Sequence, residues 1–168
     1  MSAYYYAVLP TGIGWVGVLA SPKGIRRLVL PQPSPQRAVE KLLPEVEEAE
    51  PAASRFEELR QRLEAFFAGE PVVFDDALDL EGAPLFFLRA WKACLAIPKG
   101  ETRSYAWLAA RAGNPRGVRA AGQAMAHNPV PIIIPCHRVV ATDGGLCGYG
   151  GGLPLKQRLL DLERPVRL

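Results

Sequence analysis

Cys136 and His137 stand side by side in PIIIPCHRVV, residues 131–140, behind an apolar run closed by a proline on each side. A free thiol titrates at about 8.5, so little of it is thiolate at neutral pH, and a nucleophilic cysteine needs a base or positive surroundings. The imidazole next in the chain can be that base, directly or through water. It can do so only if the strand stops, because neighbours along a strand point to opposite faces. Pro135 is placed to stop it. The expectation is a buried isoleucine strand that delivers the thiol onto a turn, with Arg138 adding local positive charge.

The neighbourhood is unusual for this chain, which has only two histidines and two asparagines. His127, Asn128 and His137 fall within eleven residues around Cys136. Downstream, the nine residues from Gly144 to Gly152 hold six glycines around Tyr149. Such a segment lets backbone approach a flat ligand, and Tyr149 can offer a stacking face. A carboxylate to orient the imidazole would complete a relay of the triad kind. The closing stretch LKQRLLDLERPVRL reads as a helix with Leu155, Leu159 and Leu162 on its apolar side. On that reading Glu163 and Asp161 are both eligible. The other thiols carry less: Cys94 reads as core, and Cys147 as incidental in the glycine loop. Three cysteines without CxxC spacing argue against a disulfide framework and against structural zinc.

The elements that must position these groups fall into two parts. Runs YYYAVLP, GWVGVLA and IRRLVLP, separated by turn residues, predict three antiparallel strands. SPQRAVEKLLPEV reads as a Ser-capped helix with Ala38, Leu42 and Leu43 on one face. SRFEELRQRLEAFFAGE repeats Phe56, Leu59, Leu63 and Phe66/Phe67 at helical spacing, with Ser54 at the cap position. Residues 1–75 form an N-terminal α/β domain on this reading, and 76–82 an extended connector. Residues 83–168 form the second domain. There APLFFLRAWKACLAI carries Phe86, Phe87, Ala90, Trp91 and Cys94 along one stripe. SYAWLAARAG, the break NPRG and VRAAGQAMAHN have the form of a helix-turn-helix. Its second helix is slim (Ala120, Ala121, Gly122, Ala124), with Arg119 its main charge. Such a helix can enter a narrow groove but reads few base edges. The fold class is therefore α+β, a small antiparallel sheet with helices followed by a mostly helical, winged-helix-like domain.

Charge divides along the same line. Residues 1–80 carry 8 Lys+Arg against 12 Asp+Glu, while residues 81–168 carry 12 against 5. The second half is suited to a polyanion. No apolar run approaches a membrane span, and MSAYYYAVLP is no charged leader ahead of an apolar segment, so the expectation is a cytoplasmic protein; a monomer is expected as well. From the residues alone, the reading stops at a cysteine nucleophile on a domain with the marks of a DNA binder.

PIIIPCHRVV with the upstream AHNPVP, the segment SYAWLAARAGNPRGVRAAGQAM, the loop GYGGG and the ending LKQRLLDLE together resemble the O6-alkylguanine-DNA alkyltransferases. The likeness is close over residues 75–165 and looser before them. It implies DNA repair by one irreversible transfer of the alkyl group from O6-alkylguanine, and less well from O4-alkylthymine, to Cys136. It implies double-stranded DNA carrying the lesion as partner and no cofactor. Some members bind zinc in the N-terminal domain, but no metal is expected here, with no cysteine before position 94 and no histidine before 127. In the resemblance His137 is a base acting through water, Glu163 orients it, and Asn128 braces the turn before the active-site segment. Tyr105 presses on the phosphate and assists the leaving guanine. Arg119 fills the gap left by the flipped base, while Ala120 and Gly122 let the helix enter the minor groove. Met125, Val139, Tyr149 and Gly150 line the base pocket. Gly150 replaces a serine common in the family, which implies kept activity with altered tolerance for bulky alkyl groups. Two rivals stand beside this reading, a module that binds the lesion without repair and a Cys–His hydrolase that turns over.

Overall fold

The computed structural model describes residues 3–164, which divide into two compact units, Met1–Leu80 and Glu81–Leu168. In the first, strands β1 (Tyr4–Thr11), β2 (Gly14–Ser21) and β3 (Gly24–Gln32) form an antiparallel meander, as the aromatic and β-branched runs predict. A short edge strand, β4 (Ala49–Pro51), adds parallel to β1 and makes the order β3-β2-β1-β4. Its sequence, AEP, gives no strand signal, and only pairing to the meander creates it.

β2 is central and buried from Val16 to Ala20 on both faces. Gly17 and Leu19 face helix α1 (Pro35–Glu40), with Leu19, Val29, Leu42 and Val46 in one cluster. Burying each such side chain is worth about 1.5–3 kcal/mol. The helix expected over 34–46 is shorter than predicted. Ser34 caps it, accepting from Arg37 N at 3.1 Å, but regular helix ends at Glu40 and Pro44 begins a separate 3-10 turn, Glu45–Glu48. Ser54 does not act as a cap. It lies within a 3-10 turn, Ala53–Phe56, from which α2 (Glu57–Phe67) continues, burying Leu59, Leu63, Phe66 and Phe67.

Part of the stretch expected as connector belongs to this sheet. Ile25 N donates to Ala77 O and Asp79 N to Ile25 O, each at 2.9 Å. Gly24 sits at φ +150°, and a Cβ there would strike the Ala77 carbonyl. Asp79 is buried and takes Ser21 Oγ at 2.5 Å and Arg26 Nη1 at 3.2 Å.

The second unit is built on α3 (Leu85–Leu95), α4 (Tyr105–Arg111) and α5 (Val118–Ala126), all three in mutual contact. Ala90, Cys94, Ala109, Ala112, Ala121 and Ala124 are buried, and their small size allows close packing. Trp91 fills the remaining space and donates Nε1–H to Ala124 O at 2.8 Å, tying α3 to α5. Ser104 caps α4 by accepting from Trp107 N at 3.0 Å. A two-residue parallel ladder, β5 (Arg103–Ser104) with β6 (Val139–Val140), ties the start of α4 to the cysteine segment. Helix α6 (Leu153–Glu163) closes the unit.

Candidate active site

The run PIIIP is not the strand that its isoleucines suggest. Pro131 and Ile134 form a tight bridge, with Ile132 between them at φ 77°. A β-branched residue in the left-handed region costs on the order of 1–3 kcal/mol and persists only where its surroundings impose it. Asn128, just after α5, imposes it here. Its Nδ2 donates to Ile134 O at 2.8 Å and its Oδ1 accepts from Val130 N at 2.9 Å. Pro135 then makes an inverse γ-turn (φ −81°, ψ 64°), with Cys136 N donating to Ile134 O at 2.8 Å. Cys136–Arg138 is one 3-10 turn, so the thiol and imidazole leave the backbone without strand alternation.

His137 is fully buried, and its Nε2 lies 2.7 Å from Glu163 Oε1. Of the two eligible carboxylates, Glu163 is the one that meets the imidazole. Asp161 is exposed and pairs with Gln157 and Arg164. Arg138, expected to add local positive charge, directs its guanidinium to Glu163. Its guanidinium grips both Glu163 oxygens and donates Nη1–H to Ile97 O at 2.7 Å. Burial opposes charge on Glu163, but hydrogen bonds from His137 and Arg138 overcome it and hold the carboxyl at about 2. Burial also lowers the His137 pKa, so the imidazole is neutral, and beside a carboxylate its proton belongs on Nε2.

Burial pushes the Cys136 thiol up, against a hydrogen bond with Asn128 and the positive charge of Lys156. The resting group is therefore a thiol. It opens on a cavity of about 650 Å³, also lined by Tyr105, Gly122, Met125, Tyr149 and Gly150. Burial raises Tyr105 to about 12, so its hydroxyl is a neutral donor. Tyr149 is also raised by burial, and among the described residues its buried hydroxyl has no hydrogen-bond partner. Val139, expected in the pocket, is absent from the lining: it is fully buried in β6. Arg119 is exposed on α5 and Ala120 partly so, outside the cavity.

Two family models match this chain. One, the 6-O-methylguanine DNA methyltransferase ribonuclease-like domain, matches residues 4–80. The other, the DNA-binding domain of the same proteins, matches residues 85–165. The chain belongs to the 6-O-methylguanine DNA methyltransferase family. A methylated-DNA–protein-cysteine methyltransferase of Methanosarcina acetivorans is 39% identical over 159 residues, 95% of this chain and 97% of that protein. One from Mycobacterium bovis is 53% identical over 103 residues, covering 61% of this chain and 62% of its own length. The crystal structure of the Mycobacterium tuberculosis enzyme in complex with DNA superposes with a TM-score of 0.79 at 40% identity, covering 95% of this chain and 92% of that one.

Within this family framework, one residue escaped the sequence reading. Lys156 is fully buried, donating Nζ–H to Val139 O at 2.8 Å and Cys147 O at 2.7 Å, with the Tyr105 ring 5.8 Å away. The leucine stripe concealed it. The face of α6 that turns inward is Lys156, Leu159 and Glu163, while Leu155 and Leu162 are only half-buried. Spacings of three and four residues joining a lysine, a leucine and a glutamate were the available signal. Cys147, taken as incidental, lines the cavity and supplies one of the two carbonyls.

Proposed function

We propose that the protein repairs DNA by moving the alkyl group of O6-alkylguanine, and less readily of O4-alkylthymine, onto Cys136, once per molecule. One observation carries this: a buried thiol opens on a cavity while the next residue is a neutral imidazole locked to a buried carboxylate. With Nε2–H given to Glu163, Nδ1 is the basic nitrogen, and it accepts the Cys136 proton through a water. The thiolate then attacks the alkyl carbon. An S–C bond forms, the C–O6 bond breaks, and its electron pair leaves on guanine, neutralised by a proton delivered through Tyr105. Lys156 stabilises the thiolate and, through its two carbonyls, fixes the loop that borders the base. The thioether has no route back to a thiol, so the reaction ends there.

The slim α5 enters the minor groove of duplex DNA, Gly122 leaving room where a Cβ would meet nothing within 4 Å. Arg119 occupies the space of the flipped nucleotide, and Met125, Tyr149 and Gly150 hold the base. Unstacking costs a few kcal/mol, least for a poorly paired lesion. We place the protein in the cytoplasm as a monomer. Among the described residues no helix is long and apolar enough to cross a membrane.

The test is a duplex with radiolabelled methyl on O6 of guanine. The expected result is one equivalent of label on the peptide containing Cys136 and then inactivity. Label that stays on bound DNA would establish recognition without repair, and repeated release would establish a hydrolase.

A further inference from the structure

A second cavity of the C-terminal unit, about 650 Å³, lies between the later turns of α3 and the end of α4. Arg89, Lys92 and Arg111 line it together with alanines and Gly113, and among the described residues no carboxylate does. Helix ends attract cations, which would be a purely structural reason for Arg111. That reason is weak here, because the carbonyls at the end of α4 are already satisfied. Leu108 O, Ala109 O and Ala110 O accept from the N–H groups of Ala112, Asn114 and Gly113 at 2.9–3.1 Å.

Four other cations of this unit have partners: Arg138 on Glu163, Arg164 on Asp161, Arg103 on Glu101, and Lys156 on two carbonyls. Arg111 is also pre-positioned, its guanidinium 5.5 Å from the centre of the Trp107 ring. The groove ends at Gly113, where the turn into α5 begins, and that turn carries exposed Arg116. Arg116, three residues on from Gly113, adds a further exposed positive charge beside the groove in the chain.

We propose that this groove holds backbone phosphates of the duplex beyond the lesion, through Arg89, Lys92 and Arg111. It would act as a sequence-independent grip that fixes DNA on the helix-turn-helix. The inference rests on the DNA-repair reading above, but it concerns affinity and not transfer. Each phosphate neutralised by a cation contributes about 0.9 to the slope of log affinity against log salt.

Binding of the full chain to a long undamaged duplex, followed by anisotropy across a salt series, tests it. Arg89→Ala with Arg111→Ala should lower the slope by about 2 and weaken binding roughly tenfold or more at ~0.1 M salt. Arg89→Lys with Arg111→Lys should keep the wild-type slope. Arg158→Ala, which removes an exposed charge on α6, should change affinity by less than about twofold. An unchanged slope in the double alanine variant, or an equal loss in Arg158→Ala, would overturn the proposal. Far-UV circular dichroism and the thermal midpoint of the double variant should match those of the wild type, which reports that it folds. Failure of the wild type to take up label while its salt slope depends on Arg89 and Arg111 would sink the repair reading and leave the groove standing.

Discussion

Glu163 Oε1 lies 2.7 Å from His137 Nε2, with both side chains out of water, and this one contact dictates which imidazole nitrogen carries the proton. The carboxylate accepts, so Nε2 donates and Nδ1 is basic. Hydrogen bonds from His137 and Arg138 keep the carboxylate ionised against the cost of its burial.

Glu163→Gln should therefore damage stability and transfer together. Replacing the anion leaves the Arg138 guanidinium partly buried without its counter-charge, a loss of about 3 kcal/mol or more. Chemical denaturation of the two proteins reads the first effect, and the single-turnover rate with methylated DNA reads the second, expected to fall at least tenfold.

Acid should act through the same pair. The Glu163 pKa is depressed on folding, so its contribution is complete above its unfolded value of about 4.3 and is lost as pH falls toward about 2. The His137 pKa is also lowered, so the unfolded chain takes up its proton first and stability declines as pH drops below about 6.5. Thermal melts from pH 7 to pH 3 should show a progressive fall in Tm, and Glu163→Gln should flatten its lower part.

Lys156→Met keeps the bulk of the stem and removes the charge. Two charge-assisted hydrogen bonds vanish, each worth about 1.5–3 kcal/mol, with the Val139 and Cys147 carbonyls left behind. Besides lower stability, the pH profile of single-turnover transfer should move to higher pH, because the thiolate loses its nearby cation. A rate loss with an unmoved profile would assign Lys156 to loop structure alone.

Cys136→Ala should abolish transfer while DNA affinity stays within about threefold, since the thiol is buried and lies outside α5. Gel-shift titration beside the label assay separates the two. Unfolding of this variant would make the cysteine structural.

Gly150→Ser tests the pocket wall. Among the described residues no atom lies within 4 Å of the added Cβ, and the backbone there is not left-handed, so the fold should tolerate it. Methyl transfer should remain within about twofold, whereas benzyl transfer should slow, as measured by competing single-turnover rates on the two lesions.

The sequence by itself determined the chemistry and the coarse layout: a cysteine beside a histidine, three strands from their apolar runs, and a helix-turn-helix punctuated by Gly113 and Pro115. These signals are local, since turn residues and side-chain period act over a few positions. The strand β4 was not legible, because its pairing with Tyr4–Tyr6 comes from more than forty residues away in the chain. Nor was the conformation of PIIIP, where intrinsic β preference yields to the hydrogen bonds of Asn128. Arg138 was read as a neighbour of the thiol when its nearest strong acceptor, Glu163, lies twenty-five residues on. Tertiary structure brought Glu163, and not Asp161, onto His137, and it turned Lys156 inward on the same face of α6. A buried ion or lysine is tolerated only where partners from distant segments meet it, and no local pattern encodes that meeting.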